Sequence, residues 1–249
     1  MTVWLRSTTS TMKDAAALAA RGEGHGTVVV AEEQSAGIGR HGHSWHSEAG
    51  AGLYISVILR LPLVLDGLPL LTMALGLAAQ RAVDDVAGVT CDLRWPNDLL
   101  LNEKKIAGIL VQTTDGRSGT AALIAGVGVN VNQRAFPDEL RPIATSLLIE
   151  TGREHSKDAL LERIVAESLE YANLLADRGK DPILEQFRSR SSYVSGKSVE
   201  VENGERVIRG ITAGLDDKGF LLVETHNGME TIVTGGVRPQ AMARKNVRA

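Results

Sequence analysis

Two apolar stripes at helical spacing, set among short β-branched runs, do most to restrict the fold. In residues 69–86, Leu70, Ala74, Leu77, Ala78 and Val86 recur at the period that gathers side chains on one side of a helix. In residues 156–178, Leu160, Leu161, Ile164, Val165, Leu169, Ala172 and Leu175 do the same. Between them, 27–31, 53–60 and 121–130 are short and rich in Val and Ile, and read as strands. Cys91, Leu93 and Trp95 alternate with polar residues, as in a half-covered strand. Two further helices are expected. One spans 10–21, capped by Ser or Thr and stopped at Gly22, and one starts at Asp181 with Pro182 in its first turn.

After residue 192 the texture changes. Short β-rich pieces, 197–201, 207–213, 220–224 and 231–233, alternate with the turns Asn203-Gly204, Asp217-Lys218-Gly219 and Asn227-Gly228. Such spacing predicts a small all-β module of about 50 residues, a compact barrel. With the boundary placed in 190–196, the chain divides into 1–192 and 193–249.

The 249 residues are 43% apolar and 23% charged, enough to bury a sizeable core. The formal net charge of -3 gives no global electrostatic footprint for DNA or RNA, though a local basic patch is compatible with it. Cys91 is the sole cysteine, so no intramolecular disulfide can form, and this usage suits a reducing cytosol. Met1 to Arg6 lacks the pattern of a signal peptide. The longest apolar region, 61–79, is broken by Pro62, Asp66, Gly67 and Pro69, too early for a membrane span. A cytoplasmic protein without a membrane partner is expected.

Four constellations could carry chemistry. The first is Gly37-Ile38-Gly39-Arg40-His41-Gly42-His43-Ser44-Trp45, read as a loop without helix or strand period. Its glycines let backbone N–H groups converge on an anion, Arg40 adds a fork for carboxylate or phosphate, and Trp45 can stack on a flat ring. A flexible basic surface loop fits the same residues. The second is Arg94-Trp95-Pro96-Asn97-Asp98 followed by the polar tip Asn102-Glu103-Lys104-Lys105 and an apolar strand, 106–112. Lys105 either leans over a pocket to stabilise displaced phosphate or sits in a solvated tip; Asn97 or Asp98 either faces Mg2+ or shapes a turn. The third is Gly126-Val127-Gly128-Val129-Asn130-Val131-Asn132. Alternating glycines leave room for a group to lie flat on the sheet, or for a helix to pack closely, and Asn130 and Asn132 share one face. In the fourth, Ser7-Thr8-Thr9-Ser10, helix capping explains one or two of the hydroxyls, and the others could donate to a ligand carbonyl. His25, His46, His155 and His226 have no zinc-ligand spacing.

Taken in order, these segments resemble the biotin protein ligase family. The resemblance rests on the Ser-Thr pair, Ala31-Glu32-Glu33-Gln34 entering the glycine-arginine loop, Arg94-Trp95-Pro96-Asn97-Asp98, Lys105-Ile106-Ala107-Gly108-Ile109-Leu110, and the glycines before Asn130. It implies an α+β fold: a mixed β-sheet with helices, related to class II aminoacyl-tRNA synthetases, plus a small SH3-like barrel. It also implies two steps, adenylation of biotin by ATP with Mg2+, then transfer to a lysine of a biotin carboxyl carrier protein. By the resemblance, Ser7, Thr8, Thr9, Gln34, Gly37, Ile38, Gly39, Arg40, Lys105, Gly108, Gly126 and Gly128 contact biotin or its adenylate. Arg40, Trp45, Asn97, Lys105, Asn130 and Asn132 serve the nucleotide, and Arg40 and Lys105 are the catalytic pair. Ile38 and His43 stand where the family has arginines, and Thr9 where it has asparagine. The Ser-Thr motif begins at Ser7, so no DNA-binding arm is expected. A homodimer is compatible with the resemblance, as is a monomer. The rivals are a lipoate ligase or octanoyl transferase, the latter needing a pocket cysteine that Cys91 is poorly placed to be, and a non-catalytic biotin-binding module.

Overall fold

The computed structural model describes residues 1–62, 67–114, 121–203 and 206–240. The chain opens with strand β1 (Thr2–Leu5), helix α1 (Thr11–Ala20) and β2 (Val28–Ala31). Next comes a small hairpin, β3 (Gly37–Ile38) and β4 (Ser44–Trp45), with a 3-10 turn, Arg40–Gly42, between its strands. Then follow β5 (Gly52–Leu59), α2 (Leu68–Ala87), β6 (Asp92–Arg94), β7 (Asp98–Leu101), β8 (Lys104–Thr113) and β9 (Leu123–Asn130). Helices α3 (Leu147–Thr151), α4 (Lys157–Arg178) and α5 (Asp181–Arg190) precede five strands, β10 (Ser195–Asn203), β11 (Arg206–Leu215), β12 (Leu221–Thr225), β13 (Gly228–Ile232) and β14 (Gly236–Pro239).

The long helices end where their sequences dictate. Pro69 sits in the first turn of α2, where a missing N–H is harmless, and Gly88 ends the helix at φ 68. The Ser156 side chain accepts the Ala159 N–H and caps α4. Helix α1 departs from expectation. Ser10 is extended, as an N-cap should be, but its hydroxyl makes no capping bond. The Gln34 side-chain oxygen takes that place, accepting from the Thr11 N–H at 2.9 Å.

Seven strands form one mixed sheet in the order β1-β2-β5-β9-β8-β7-β6, with β1 and β2 parallel and the other pairs antiparallel. Because strand side chains alternate, Val28 and Val30 join the core beneath α2 and α4, while Val29 faces α1. Met12, Ala15 and Ala19 of α1 pack there against Val29, Ile58 and Ile124. The larger core runs on without a break into the terminal module, through Phe187 to Val199, Leu221 and Val223. That module is an antiparallel sheet, β13-β12-β11-β10-β14, with irregular register near Ser195 and near Gly214. It rests on the β6–β7 end of the large sheet. Ser191 Oγ donates to the Leu93 carbonyl at 2.5 Å, Tyr193 Oη to Glu103 at 3.0 Å, and Trp95 Nε1 to the Gly219 carbonyl at 2.9 Å.

Several elements differ from the sequence reading. The segment 37–47 is not a loop throughout but contains the β3–β4 hairpin. Only Asn102 and Glu103 form the tip before β8, both at positive φ, and Lys104 and Lys105 already belong to the strand. Strands β1 and β14 and helix α3 were not anticipated. The expected Asn203-Gly204 turn and the end of the 193–249 unit lie partly outside the described residues. Among the described residues no helix is long and apolar enough to cross a membrane.

Candidate active site

On the α1 face of the sheet, three neighbouring positions carry no side chain. Gly108 of β8 pairs with Gly128 of β9, and Gly126 pairs with Leu110 and with Ser56 of β5. The sequence put Gly126 and Gly128 on one face; the strand register adds Gly108. Close neighbours explain why a Cβ is excluded there. It would lie 2.8 Å from Met12 Sδ at Gly126, and 2.6 Å from Trp45 Cε2 at Gly128. The expected space for a flat group is real, and the group lying in it is the chain's own Trp45 indole. Its buried Nε1–H has no acceptor among the described residues.

Lys105 reaches this floor because of a bulge. The β7–β8 register shifts between Leu99 and Leu100, leaving Ile106 as the extra residue. Strict alternation would send Lys105 to the face opposite Gly108; the bulge re-aims it. Lys105 Nζ then lies 2.5 Å from Asp98 Oδ1 and 5.3 Å from the centroid of Trp45. Asp98 Oδ2 accepts from Arg94 Nη2 at 2.7 Å and from Nε at 3.3 Å. Burial pushes the Asp98 carboxyl upward, but the Lys105 and Arg94 charges outweigh it and hold the pKa below the ordinary value. The two-residue path Pro96-Asn97, with a cis Trp95–Pro96 bond, turns the chain from Trp95, whose indole N–H donates to Gly219 of the terminal module, to Asp98.

The hairpin β3–β4 roofs the floor and brings Arg40 to it. Arg40 Nη1 donates to Asn97 Oδ1 at 3.1 Å. Burial lowers the Arg40 pKa from its usual value and Asp98 opposes this; an arginine keeps its charge all the same. Ser10, with Thr11 and Met12 of α1 and Tyr54 of β5, closes the remaining side of the cavity. Thr11 Oγ1 donates to Gln34 Oε1 at 3.1 Å and accepts from Ser56 Oγ at 2.8 Å, fixing that wall. Ser10 Oγ is fully buried and has no hydrogen-bond partner among the described residues.

The cavity thus gathers Gln34, Ile38, Gly39, Arg40, Trp45, Asn97, Lys105, Gly108, Gly126 and Gly128 of the residues singled out from sequence. It does not include Ser7, Thr8, Thr9, Gly37, Asn130 or Asn132. Thr8 Oγ1 donates to Asp14. Gly37 sits under the Trp45 carbonyl, 2.6 Å from where its Cβ would be. Asn130 is buried and donates to the Thr145 carbonyl, and Asn132 exchanges bonds with the His155 backbone. Sequence reasoning singled out Ser10 within the hydroxyl run but not as a site residue, and missed Thr11, Met12 and Tyr54. The signal was weak: a hydroxyl at a helix start is explained by capping until the distant Gln34 is known to do that work.

A cavity that presents two cations over a bare glycine floor, beside a helix start and under a basic hairpin, suits an enzyme that activates a carboxylate with a nucleotide. The model of the Biotin/lipoate A/B protein ligase family matches residues 4–130, and that of the Biotin protein ligase C terminal domain matches 194–237. The chain belongs to the biotin protein ligase family. It is 35% identical over 236 residues to the biotin--[acetyl-CoA-carboxylase] ligase of Mycobacterium tuberculosis, covering 92% of this chain and 85% of that one. It is 34% identical over 230 residues to the bifunctional ligase/repressor BirA of Bacillus subtilis, covering 92% of this chain and 70% of the relative. The Aquifex aeolicus biotin protein ligase in complex with biotin and ATP superposes with a TM-score of 0.85 at 30% identity, over 96% of this chain and 99% of that one.

Proposed function

We propose that this chain is an ATP-dependent biotin protein ligase that forms biotinyl-5'-AMP and passes biotin to a lysine of a biotin carboxyl carrier protein. The observation that carries this reading is the convergence of Arg40 and Lys105 on one cavity over Gly108, Gly126 and Gly128. In the first step a biotin carboxylate oxygen bonds to the α-phosphorus of ATP, and the bond to pyrophosphate breaks. In the second, the acceptor amine attacks the carbonyl of the mixed anhydride, and AMP leaves with the bonding pair. Both steps pass negative charge through the site, which fixed cations in a water-poor cavity stabilise. Asp98 and Arg94 hold Lys105 in register for that task.

The half-open cavity offers about 50 Å³, well below the ~300 Å³ at which small-molecule sites begin. The hairpin is read as shifting to admit biotin, with the Trp45 indole leaving or sharing the glycine floor. Trp45 Nε1 and Ser10 Oγ, without partners among the described residues, favour such a shift, since each leaves a buried polar atom for a ligand to satisfy. Biotin is read as contacting Gln34, Gly39 and the glycine floor, with Ser10 and Thr11 added to the earlier set, and Asn97 and Arg40 as facing the nucleotide.

The described residues do not form a site for a resident Mg2+. No group of three or more His, Cys, Asp or Glu residues is gathered, and the Asp98 carboxylate is taken up by Lys105 and Arg94. Residues 1–192 are read as the catalytic unit and 193–249 as a supporting one, in a cytoplasmic enzyme that acts without DNA or membrane. A transferase working through cysteine is disfavoured: Cys91 is buried in the core, and burial pushes its thiol up to about 12.

Biotin-dependent ATP–pyrophosphate exchange tests the reading. Exchange with biotin and none with lipoate is expected, with a loss of at least a hundredfold in Lys105→Ala. Full exchange by Lys105→Ala would overturn the catalytic assignment.

A further inference from the structure

Among the described residues, the terminal module meets the active site at Arg40. Arg40 Nη2 lies 3.4 Å from Thr234 Oγ1, and Nη1 lies 3.4 Å from the Gly235 carbonyl, contacts made across 194 and 195 residues of chain. His41 Nε2 lies 3.3 Å from the same Thr234 hydroxyl. Gly235 is held at φ 143, and a Cβ there would come within 2.7 Å of the Glu202 carbonyl. The corner between β13 and β14 therefore accepts only glycine, and its carbonyl is fixed in place by the module's own backbone.

These bonds engage the guanidinium on one side. Nη1 is committed to Asn97 and Gly235, and Nη2 gives one bond to Thr234. The Nε–H makes no hydrogen bond among the described residues. Nε and the second Nη2 hydrogen form the two-pronged edge that arginine offers to a carboxylate or phosphate. A guanidinium gripped from behind by three acceptors turns that edge in a set direction at little entropic cost.

We infer that Thr234 and the Gly235 carbonyl are positioning groups for Arg40: the terminal module docks the β3–β4 hairpin and orients the catalytic arginine of a domain to which it does not itself belong. The catalytic weight of this contact rests on the ligase reading; the contact itself does not.

The first test uses the ligand-free full chain and limited trypsin, which cleaves after Arg40 only when the hairpin leaves its dock. Thr234→Val removes the hydroxyl at constant volume on an exposed position, and Thr234→Ser retains it. Loss of one such bond is expected to speed cleavage after Arg40 by roughly threefold to tenfold in Thr234→Val, with Thr234→Ser near the native rate. The second test reads biotin-dependent pyrophosphate exchange. In Thr234→Val, kcat should fall by a similar factor with KM for biotin changed less than twofold, and Thr234→Ser should rescue it. Native cleavage in Thr234→Val, or equal acceleration in both variants, would overturn the inference. If Thr234→Val melts early, Thr234→Ala carries the same comparison without the second methyl. Absence of exchange in the native chain would sink the ligase reading alone, because the tryptic comparison needs no ligand.

Discussion

Asp98→Asn isolates the charge on which Lys105 depends. The Asp98 side chain is 14% exposed and lies between Lys105 Nζ at 2.5 Å and Arg94 Nη2 at 2.7 Å. Asparagine keeps the volume and one acceptor oxygen, but leaves two cations facing each other across a neutral group. Breaking a buried pair by removing one partner costs about 3–5 kcal/mol. The partial access of Lys105 to water and the acceptor that asparagine retains place this case at the lower end, about 3 kcal/mol. In a chain of this size each kcal/mol moves Tm by about 3 °C, so a fall of about 9 °C is expected. The pH dependence follows from the lowered Asp98 pKa. A carboxyl with a depressed folded pKa contributes fully above its unfolded value, about 3.9, and loses that contribution as pH falls through the folded value. The native and Asp98→Asn proteins should thus differ by the full amount at pH 7, and converge only below about pH 4. Urea titrations at pH 7, 5 and 3.5 measure this. An equal midpoint at pH 7, or a gap that closes between pH 7 and 5, would refute the argument that this carboxylate is held charged by its two neighbours.

Three further outcomes are expected. Gly128→Ala puts a methyl 2.6 Å from the Trp45 ring, so it should expel the indole, raise its accessibility to acrylamide quenching and weaken biotin binding by roughly tenfold or more; unchanged quenching would contradict the packing. Cys91, buried with its pKa raised to about 12, should resist a thiol reagent at pH 8 in the folded state and react fully in denaturant; rapid native labelling would show that the sheet opens there. Restoring the family's arginines with Ile38→Arg and His43→Arg should slow release of the adenylate, read by a filter-binding chase, because two fixed positive charges return to the hairpin. Identical release rates would show that Arg40 alone suffices.

Long periodic segments were legible and short ones were not. Helices α2 and α4 followed from their apolar stripes to within about two residues. Strand β1 is four residues long and α3 five, too short for a period to stand out. The bare floor was half visible: Gly126 and Gly128 share a face by alternation, but Gly108 joins them only through a pairing across strands. Lys105 was recognised by its neighbours in sequence, yet its aim depends on the bulge at Ile106, which local pattern does not announce. At the start of α1 the sequence offered five consecutive hydroxyl residues, Ser7 to Thr11, and no local rule to choose among them. The cavity takes the last two because Gln34, from a distant segment, pins Thr11. Asn130, expected on the nucleotide side, is buried and donates to the Thr145 carbonyl, a partner that local pattern does not announce.

The resting place of the terminal module has a consequence for solubility. A seven-stranded sheet has two rims, each a row of backbone groups able to template a foreign strand. At the β6 rim, Ser191 and Ser192, just ahead of the module's first strand, bond to Leu93 and Asp92, so a stray chain finds little to pair with. The opposite rim is β1, which is open but only four residues long, from Thr2 to Leu5. Its brevity is the safeguard there: a docking strand would gain few ladder bonds before running out of template. Lengthening β1 by an apolar extension at the start of the chain would remove that safeguard, and the enzyme would then be expected to precipitate rather than unfold.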